Sequence, residues 1–284
     1  MAQNCNLKKE LVDFWNSSDE YFALAHSSNE AISDERILML SFIPEGAKVL
    51  DVACGTGDNG AFISRRINRS RYYGVEISDA ALHVTSRDLS GKDPGEQTFI
   101  KADAEIIPLK DAVFDVVLST YALEHFTDPR MVLDEMLRTC KAGGKIMLLS
   151  PAWDNPLSVP PSLDYLRGKA VFRLKSFFSQ LYKGLALELN KEKTFFEIIK
   201  DPEVFRKGYR TDNDVVYHVR VGDIRNYFAS RGCDILYLRN FEDSARAGTS
   251  DKGGIKLFLK KQFARIALFK YWSAGLFIVV KKRA

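Results

Sequence analysis

The chain has 284 residues, 46% of them hydrophobic and 27% charged, with a net charge of +4. That suits a sizeable core, in one large domain or in a core carrying an insertion. No apolar run reaches the roughly 18 residues of a membrane span, residues 1–15 lack the apolar stretch of a secretion signal, and Cys5, Cys54, Cys140 and Cys233 form no C-x-x-C pair. These points argue against a membrane span, a disulfide framework and a zinc site, and make a reducing cytoplasm the expected compartment.

Charge is unevenly spread. Residues 1–150 hold 16 Lys and Arg against 23 Asp and Glu, whereas residues 151–284 hold 25 against 14. From Lys252 onward there are nine basic residues and no acidic one. Such asymmetry fits an anionic partner or a soluble fold whose charges segregate.

In chain order, ERILMLSF (35–42) has helical spacing and leads through PEGAK into the strand VLDVA. A glycine-rich turn and the helix AFISRRINR (61–69) follow, then the strand RYYGVEIS (71–78) and the helix DAALHVTSRDL. QTFIKAD (97–103), FDVVLST (114–120) and GKIMLLS (144–150) read as further strands, with DPRMVLDEMLRTC (128–140) as the helix before the last. Strands and helices alternating in this rhythm predict βαβ units and a parallel sheet covered by helices on both faces. From about 157 to 218 the pattern changes to long helices with many aromatics. The βα rhythm then resumes with VGDIRNYFASRG (221–232), CDILYLRNF (233–241) and SAGLFIVVKKR (273–283).

VLDVACGTGDNG (49–60) places Gly55, Gly57 and Gly60 directly after a strand. Read literally this is G-x-G-x-x-G, a dinucleotide fingerprint. Gly55 and Gly57 lack the Cβ atoms that would hold a ligand off the backbone. Glu76 ends the second strand, where a carboxylate can accept from ribose hydroxyls. These features fit a nicotinamide dinucleotide or another nucleoside cofactor. Asp51 inside the motif, Asp103 after the third strand in KADAEIIPL, and FDVVLSTYALEHFTDP (114–129) favour the second.

This ordered series resembles the class I S-adenosylmethionine-dependent methyltransferases, in the group related to ubiquinone- and menaquinone-pathway enzymes. Residues 35–150 carry the resemblance, with a weaker continuation from about 219. It implies an α/β fold: a Rossmann-like, seven-stranded, mostly parallel sheet with helices on both faces and a helical insertion after strand five. SAGLFIVVKKR would be the antiparallel last strand, lying before strand six. The implied parts are an N-terminal helical lid (1–34), a cofactor-binding core (35–150), a helical acceptor-binding insertion (151–218) and a C-terminal part completing the sheet (219–284). The resemblance further implies that S-adenosylmethionine meets Ala53, Gly55 and Gly57, with Asp51 supporting the turn. Glu76 would grip the ribose, Ile77 would flank the adenine, and Asp103 and Ala104 would contact its edge. Ser119 and Tyr121 would line the pocket near the methyl donor.

Transfer to a hydroxyl gains from a general base. His125, beside Glu124, is the first candidate, with Tyr121 as its companion; a histidine that merely starts the next helix is the alternative. Some relatives bind a divalent ion through E-x-x-E-H, but Tyr121 stands where the first carboxylate would be, which argues against a metal. The expected acceptor is a small molecule, or one linked to lipid or glycan, methylated at oxygen. Its pocket would draw on Phe14, Trp15, Tyr21, Phe22, SPAWDNP (150–156) and the insertion.

In YLRGKAVFRLKSFFSQLY, Leu166, Ala170, Leu174, Phe177, Phe178 and Leu181 recur at helical spacing among basic residues, and IKLFLKKQFARIALFKYW (255–272) repeats the theme. Both segments suit peripheral contact with an anionic membrane, or packing as a lid or core helix. A nucleic-acid methyltransferase would use the same basic half. STYALEH, however, stands where a base-methylating N/D-P-P-Y/F motif would be, which argues against nucleic acid. A non-catalytic S-adenosylmethionine-binding protein is the remaining alternative.

Overall fold

The computed structural model describes residues 2–17, 34–89, 96–156, 158–166, 168–207, 209–210, 212–239 and 275–284. In chain order these form α1 (Ala2–Ser17), α2 (Asp34–Leu40), β1 (Lys48–Val52), α3 (Asp58–Ser64), β2 (Arg71–Glu76), α4 (Asp79–Leu89), β3 (Glu96–Lys101) and β4 (Phe114–Thr120). A 3₁₀ turn (Leu123–His125), α5 (Pro129–Thr139), β5 (Cys140–Ser150) and a second 3₁₀ turn (Pro161–Leu166) follow. The chain then forms α6 (Ala170–Leu189), α7 (Val204–Lys207), α8 (Val221–Ser230), β6 (Asp234–Leu238) and β7 (Leu276–Lys281).

The strands form one seven-stranded sheet in the order β3-β2-β1-β4-β5-β7-β6. β1 pairs in parallel with β2 and β4, and β2 with β3. Past the end of β7, Gly143 N–H donates to Lys282 O (2.8 Å) and Lys282 N–H to Gly144 O (2.9 Å). At the strand's other end a Cβ on Gly275 would lie 3.5 Å from the Ser150 carbonyl. The last strand therefore runs antiparallel to β5 and precedes β6 in the sheet, as the resemblance implied.

The fold divides into two compact units. The first comprises Met1–Ala122, Phe126–Leu148 and Lys281–Ala284; the second comprises Leu123–His125 and Leu149–Val280. The boundary thus groups residues 219–280 with the 151–218 insertion and places the turn that carries His125 in the second unit. In the first unit α3 and α4 pack on β2, α5 packs on β4, and α1 lies against α4. α5 shows how locally this is encoded. The Asp128 carboxylate caps the helix by accepting from Met131 N–H (3.2 Å), and Pro129 needs no hydrogen-bond partner at the first helical position. Val132, Leu133, Met136 and Thr139, at helical spacing, are its buried face.

The second unit departs from the expected run of long helices. Among the described residues only α6 is long, and those between 190 and 220 form mainly irregular chain with the four-residue α7 and one antiparallel bridge, Ile198 to Tyr217. Asn226 explains how this chain is held. Its side-chain amide donates to the carbonyls of Leu187, Asn190 and Lys193 (2.9–3.1 Å), taking up backbone groups that no strand would satisfy. The segment 255–272 and the residues Tyr21 and Phe22 lie outside the described residues. No helix among the described residues is long and apolar enough to cross a membrane.

Candidate functional site

β1 delivers Asp51 to the interior, and the chain then turns through three residues of positive φ: Ala53 (59°), Gly55 (54°) and Gly57 (78°). Ala53 holds this conformation despite its Cβ, which costs roughly 1–2 kcal/mol and persists only where the surroundings impose it. The two glycines do different jobs. A Cβ on Gly55 would meet nothing within 4 Å, whereas one on Gly57 would lie 2.9 Å from the Phe99 ring and 3.0 Å from Thr85. Gly55 is therefore the glycine that leaves the turn open to a ligand. Gly57 is constrained in addition by packing against Phe99 and Thr85 inside the protein.

Glu76, at the end of β2, stitches this turn to the neighbouring strand. One carboxylate oxygen accepts from Gly55 N–H (2.9 Å); the other accepts from Ile77 N–H (2.9 Å) and Ser78 N–H (2.8 Å). Burial raises its pKa, with the three backbone donors opposing the rise. A carboxylate has about four lone-pair sites, so capacity for a further donor remains.

Asp51 is wholly buried. Its Oδ2 accepts from Tyr72 Oη (2.7 Å) and Asn59 Nδ2 (3.0 Å), and Asn59 Nδ2 also reaches Thr120 Oγ1 (2.7 Å). Desolvation pushes the Asp51 carboxyl up to about 7 against these hydrogen bonds. Asp51 Oδ1, Asn59 Oδ1 and Ser119 Oγ are buried without a hydrogen-bond partner among the described residues. Buried polar atoms are rarely left so, because each costs about 1–3 kcal/mol. This cluster fits a ligand that carries donors, the ammonium of an amino acid among them. Tyr72 and Asn59 were missed in reading the sequence. Asn59 stands in the glycine motif itself, but nothing in the strand pattern marks Tyr72 as facing Asp51.

Asp103 is engaged by the chain itself: Lys8 of α1 reaches its Oδ2 (2.8 Å) and also contacts Glu105, while Glu105 N–H donates to Asp103 Oδ1 (2.9 Å). Farther along α1, Asn16 Oδ1 accepts from Ser78 Oγ (3.0 Å) and Ala80 N–H (3.3 Å). The first unit's helix is thus pinned near the ends of β2 and β3, beside Ile77 and the buried Ala104. After β4, Tyr121 has positive φ (53°) and a half-exposed side chain, two residues from the buried Ser119.

In the second unit His125 is buried among carboxylates. Its Nδ1 is 3.3 Å from Asp214 Oδ2, and its Nε2 is 3.9 Å from Glu124 Oε1. Burial would lower its pKa, but Asp214, Glu124 and Asp212 outweigh it and raise the value. Burial lifts Glu124 to about 7 despite His125; Ser150 Oγ donates to it (2.8 Å), and its carbonyl takes Val216 and Tyr217 N–H. His125 is therefore a largely buried residue of the turn after β4, held between two carboxylates. It is an oriented imidazole with an acidic partner, and Asp214, the residue that orients it, was not among those predicted. No group of three or more His, Cys, Asp or Glu suited to a metal ion occurs among the described residues. His218 is a packed residue: its Nε2 lies 3.0 Å from Trp153 O, and burial with the nearby Arg220 lowers its pKa to about 3.

Residues 50–148 match the family model described as a methyltransferase domain. Among curated proteins, the ubiquinone/menaquinone biosynthesis C-methyltransferase UbiE of Idiomarina loihiensis is 38% identical over 111 residues, covering 38% of this chain and 44% of that protein. The demethylmenaquinone methyltransferase of Clavibacter sepedonicus is 36% identical over 103 residues, covering 36% and 40%. The chain thus spans less than half the length of these relatives.

Among solved structures, the YcgJ protein of Bacillus subtilis aligns with a TM-score of 0.51 at 17% identity, over 88% of this chain and 98% of its own. The cyclase SpnF aligns with a TM-score of 0.52 at 14% identity, over 88% and 80%. At these identities the likeness concerns the fold. That a cyclase shares it is a reminder that function must be argued from the site.

Proposed function

We propose that the protein is an S-adenosylmethionine-dependent methyltransferase acting on a small hydroxyl-bearing acceptor. The observation that carries this reading is the glycine turn of the methyltransferase domain. There Gly55 leaves open space, Glu76 holds the turn through Gly55 N–H, and the buried acceptor Asp51 Oδ1 has no donor among the described residues. Glu76 and Gly55 would hold the nucleoside side of the cofactor, Asp51 and Ser119 the charged end, and Ile77, Asp103 and Ala104 the base. When bound, the cofactor supplies an already activated methyl group, so the protein's remaining work is alignment and removal of the acceptor's proton.

Alignment of reacting groups is worth roughly 7–11 kcal/mol. Residues 1–34 as a lid and 151–218 as the acceptor-binding part are assigned this task. His125 takes the acceptor's hydroxyl proton: its neutral imidazole accepts it, and Asp214 and Glu124 stabilise the imidazolium that results. Tyr121 faces the acceptor as its companion. The acceptor class is supported by the relatives, whose names specify quinone-pathway compounds, and a hydroxylated ring loses a proton whether carbon or oxygen is methylated. Transfer to oxygen is our first reading; transfer to carbon, as in the name of the relative from Idiomarina loihiensis, is the second. A lipid-tailed acceptor of this kind would bring the protein to a membrane surface.

Isothermal calorimetry tests the cofactor site. Glu76→Ala should lose roughly 2–4 kcal/mol of S-adenosylmethionine binding, since charged hydrogen bonds are worth about 1.5–3 kcal/mol each; unchanged affinity would remove the assignment. Assays with demethylated quinols, read by mass spectrometry and NMR, would fix the acceptor and the atom. His125→Ala should lower turnover about 10²–10⁴-fold with cofactor affinity retained. Because its pKa is raised, the wild-type rate should climb as pH passes above the ordinary histidine value of about 6.5, and the variant should lack this limb.

A further inference from the structure

The long helix α6 presents an apolar surface on the side opposite its buried face. Only Gln180 and Leu187 of this helix are buried, on one side. On the other, Val171, Leu174, Phe178, Tyr182, Leu185 and Leu189 are 42–84% exposed. Their spacings of three and four residues align them in a single stripe. At 1.5 Å per residue the stripe runs about 27 Å. It is not the set read from the sequence: Phe177 and Leu181 are half-buried, while Leu185 and Leu189 extend the exposed line toward the C-terminus. A surface helix ordinarily turns a polar face outward, and a contiguous apolar stripe of this length marks a surface that something covers.

The charge around the stripe decides what that is. Lys169, Arg173 and Lys175 are exposed at the first two turns, and none of them meets a carboxylate among the described residues. No acidic residue occurs between Asp164 and Glu188. A second copy of the chain would set these cations against their own images. Residues 255–272 would do much the same, carrying Lys256, Lys260, Lys261, Arg265 and Lys270 and no acid. The complementary partner is a surface that is apolar in depth and negative at its boundary.

We propose that α6 docks the protein on anionic lipid bilayers, lying parallel to the surface with Leu174 and Phe178 among the acyl chains and Lys169, Arg173 and Lys175 at the headgroups. Helices of this composition bind in that manner, by apolar area together with attraction to anionic lipid. Tyr182, backed by Phe195 with ring centroids 6.3 Å apart, has the apolar body and polar tip that suit the boundary. The proposal deepens the lipid-tailed acceptor reading, but it stands on the helix itself and does not require the acceptor to be known.

Vesicle flotation decides it, using phosphatidylcholine alone and phosphatidylcholine with phosphatidylglycerol at roughly a third of the lipid. The wild-type chain should float with the anionic vesicles and far less with the neutral ones. Raising salt from 0.1 to 1 M, which shortens the Debye length from about 10 to about 3 Å, should bring the two toward each other. Leu174→Ser with Phe178→Ser, and separately Arg173→Glu with Lys175→Glu, should each weaken anionic binding at least about tenfold without lowering the melting temperature, because all four side chains are exposed. Binding that neither pair alters would overturn the proposal. So would absence of wild-type flotation together with a several-degree loss of melting temperature in the serine pair, which would show the stripe covered by the chain itself. A dimer in sedimentation velocity that the serine pair dissolves would instead assign the stripe to a second copy. Calorimetry with S-adenosylmethionine on the same samples keeps the two proposals separable, since the cofactor site can fail or hold independently of flotation.

Discussion

Around the glycine turn of the first unit, Asp51, Asn59 and Ser119 are buried, each with one side-chain oxygen (Oδ1, Oδ1 and Oγ) that accepts nothing from the described residues. In the second unit Arg220 is buried as deeply, yet its guanidinium donates to Gln180 Oε1 (2.8 and 3.1 Å) and to Glu197 Oε2 (2.5 Å), and Lys183 reaches the same Glu197 oxygen (2.5 Å). Burial would raise the Glu197 pKa, but Arg220 and Lys183 hold it down to about 2. Both arrangements pay for desolvation, and they differ in where the compensation comes from. At Arg220 the second unit compensates within the chain through Nε and Nη2, although Arg220 Nη1 is itself buried without a hydrogen-bond partner among the described residues. The first leaves acceptors open, as a binding site does before its ligand arrives. A buried charge, or a single buried atom without a partner, is therefore a poor marker of function by itself; the gathering of open acceptors around the glycine turn is the informative part.

Removing the compensation should show this most strongly. Arg220→Ala would leave Gln180 and the buried Asp223 without their cation and should cost about 3–5 kcal/mol of stability. Urea denaturation measures it, and a loss under 1 kcal/mol would mean that the network does not hold the second unit together. Within the first unit, the two glycines of the turn should separate next. Gly55→Ala meets open space and bears only its positive φ, about 1–2 kcal/mol. Gly57→Ala adds a clash with Phe99 and should cost about 2–4 kcal/mol in all. Equal costs would show that Phe99 moves aside.

The open acceptor makes a pH prediction. The Asp51 carboxyl titrates near 3.8 when unfolded and about 7 when folded, so the folded state holds the extra proton between those values. Its contribution to stability therefore falls as pH rises from about 4 to about 7 and is level above. A cationic ligand needs the carboxylate, so the sign for binding is opposite. S-adenosylmethionine affinity should rise up to about tenfold from pH 6 to pH 8, and Asp51→Asn should flatten that rise. A flat wild-type profile would place the ligand's charge away from Asp51. The smallest effect should be that of Lys8→Met. The Lys8–Asp103 pair is partly exposed, so stability should change by less than about 1 kcal/mol. If Lys8 competes with the cofactor for Asp103, the variant should bind S-adenosylmethionine a few-fold more tightly, measured by the same calorimetry.

The sheet was legible in the sequence because its strands alternate with helices at regular intervals. FDVVLST coincides with β4, the last strand is antiparallel, and capping residues such as Asp128 and Pro129 act within a few positions of themselves. Local signals of this kind survive without a fold around them. The glycine turn was legible for the same reason, as a turn directly following a strand. The second unit was not. Its chain between α6 and α8 is shaped by Asn226, Asp223 and Arg220, which satisfy backbone and side chains 23–40 residues away, and no periodicity announces such contacts.

By itself the sequence determined the order of the sheet's strands and their helices, the open turn after β1 and the acidic and basic halves, since each depends on neighbours in the chain or on composition. Only the tertiary structure decided that Gly57 answers to Phe99, that Tyr72 and Asn59 share the Asp51 carboxylate, and that His125 lies against Asp214. It also decided that α6 turns Leu174 and Phe178 outward. These facts join residues far apart in the chain or depend on which side of a helix is covered, and the physics of desolvation and close packing acts on distance in space.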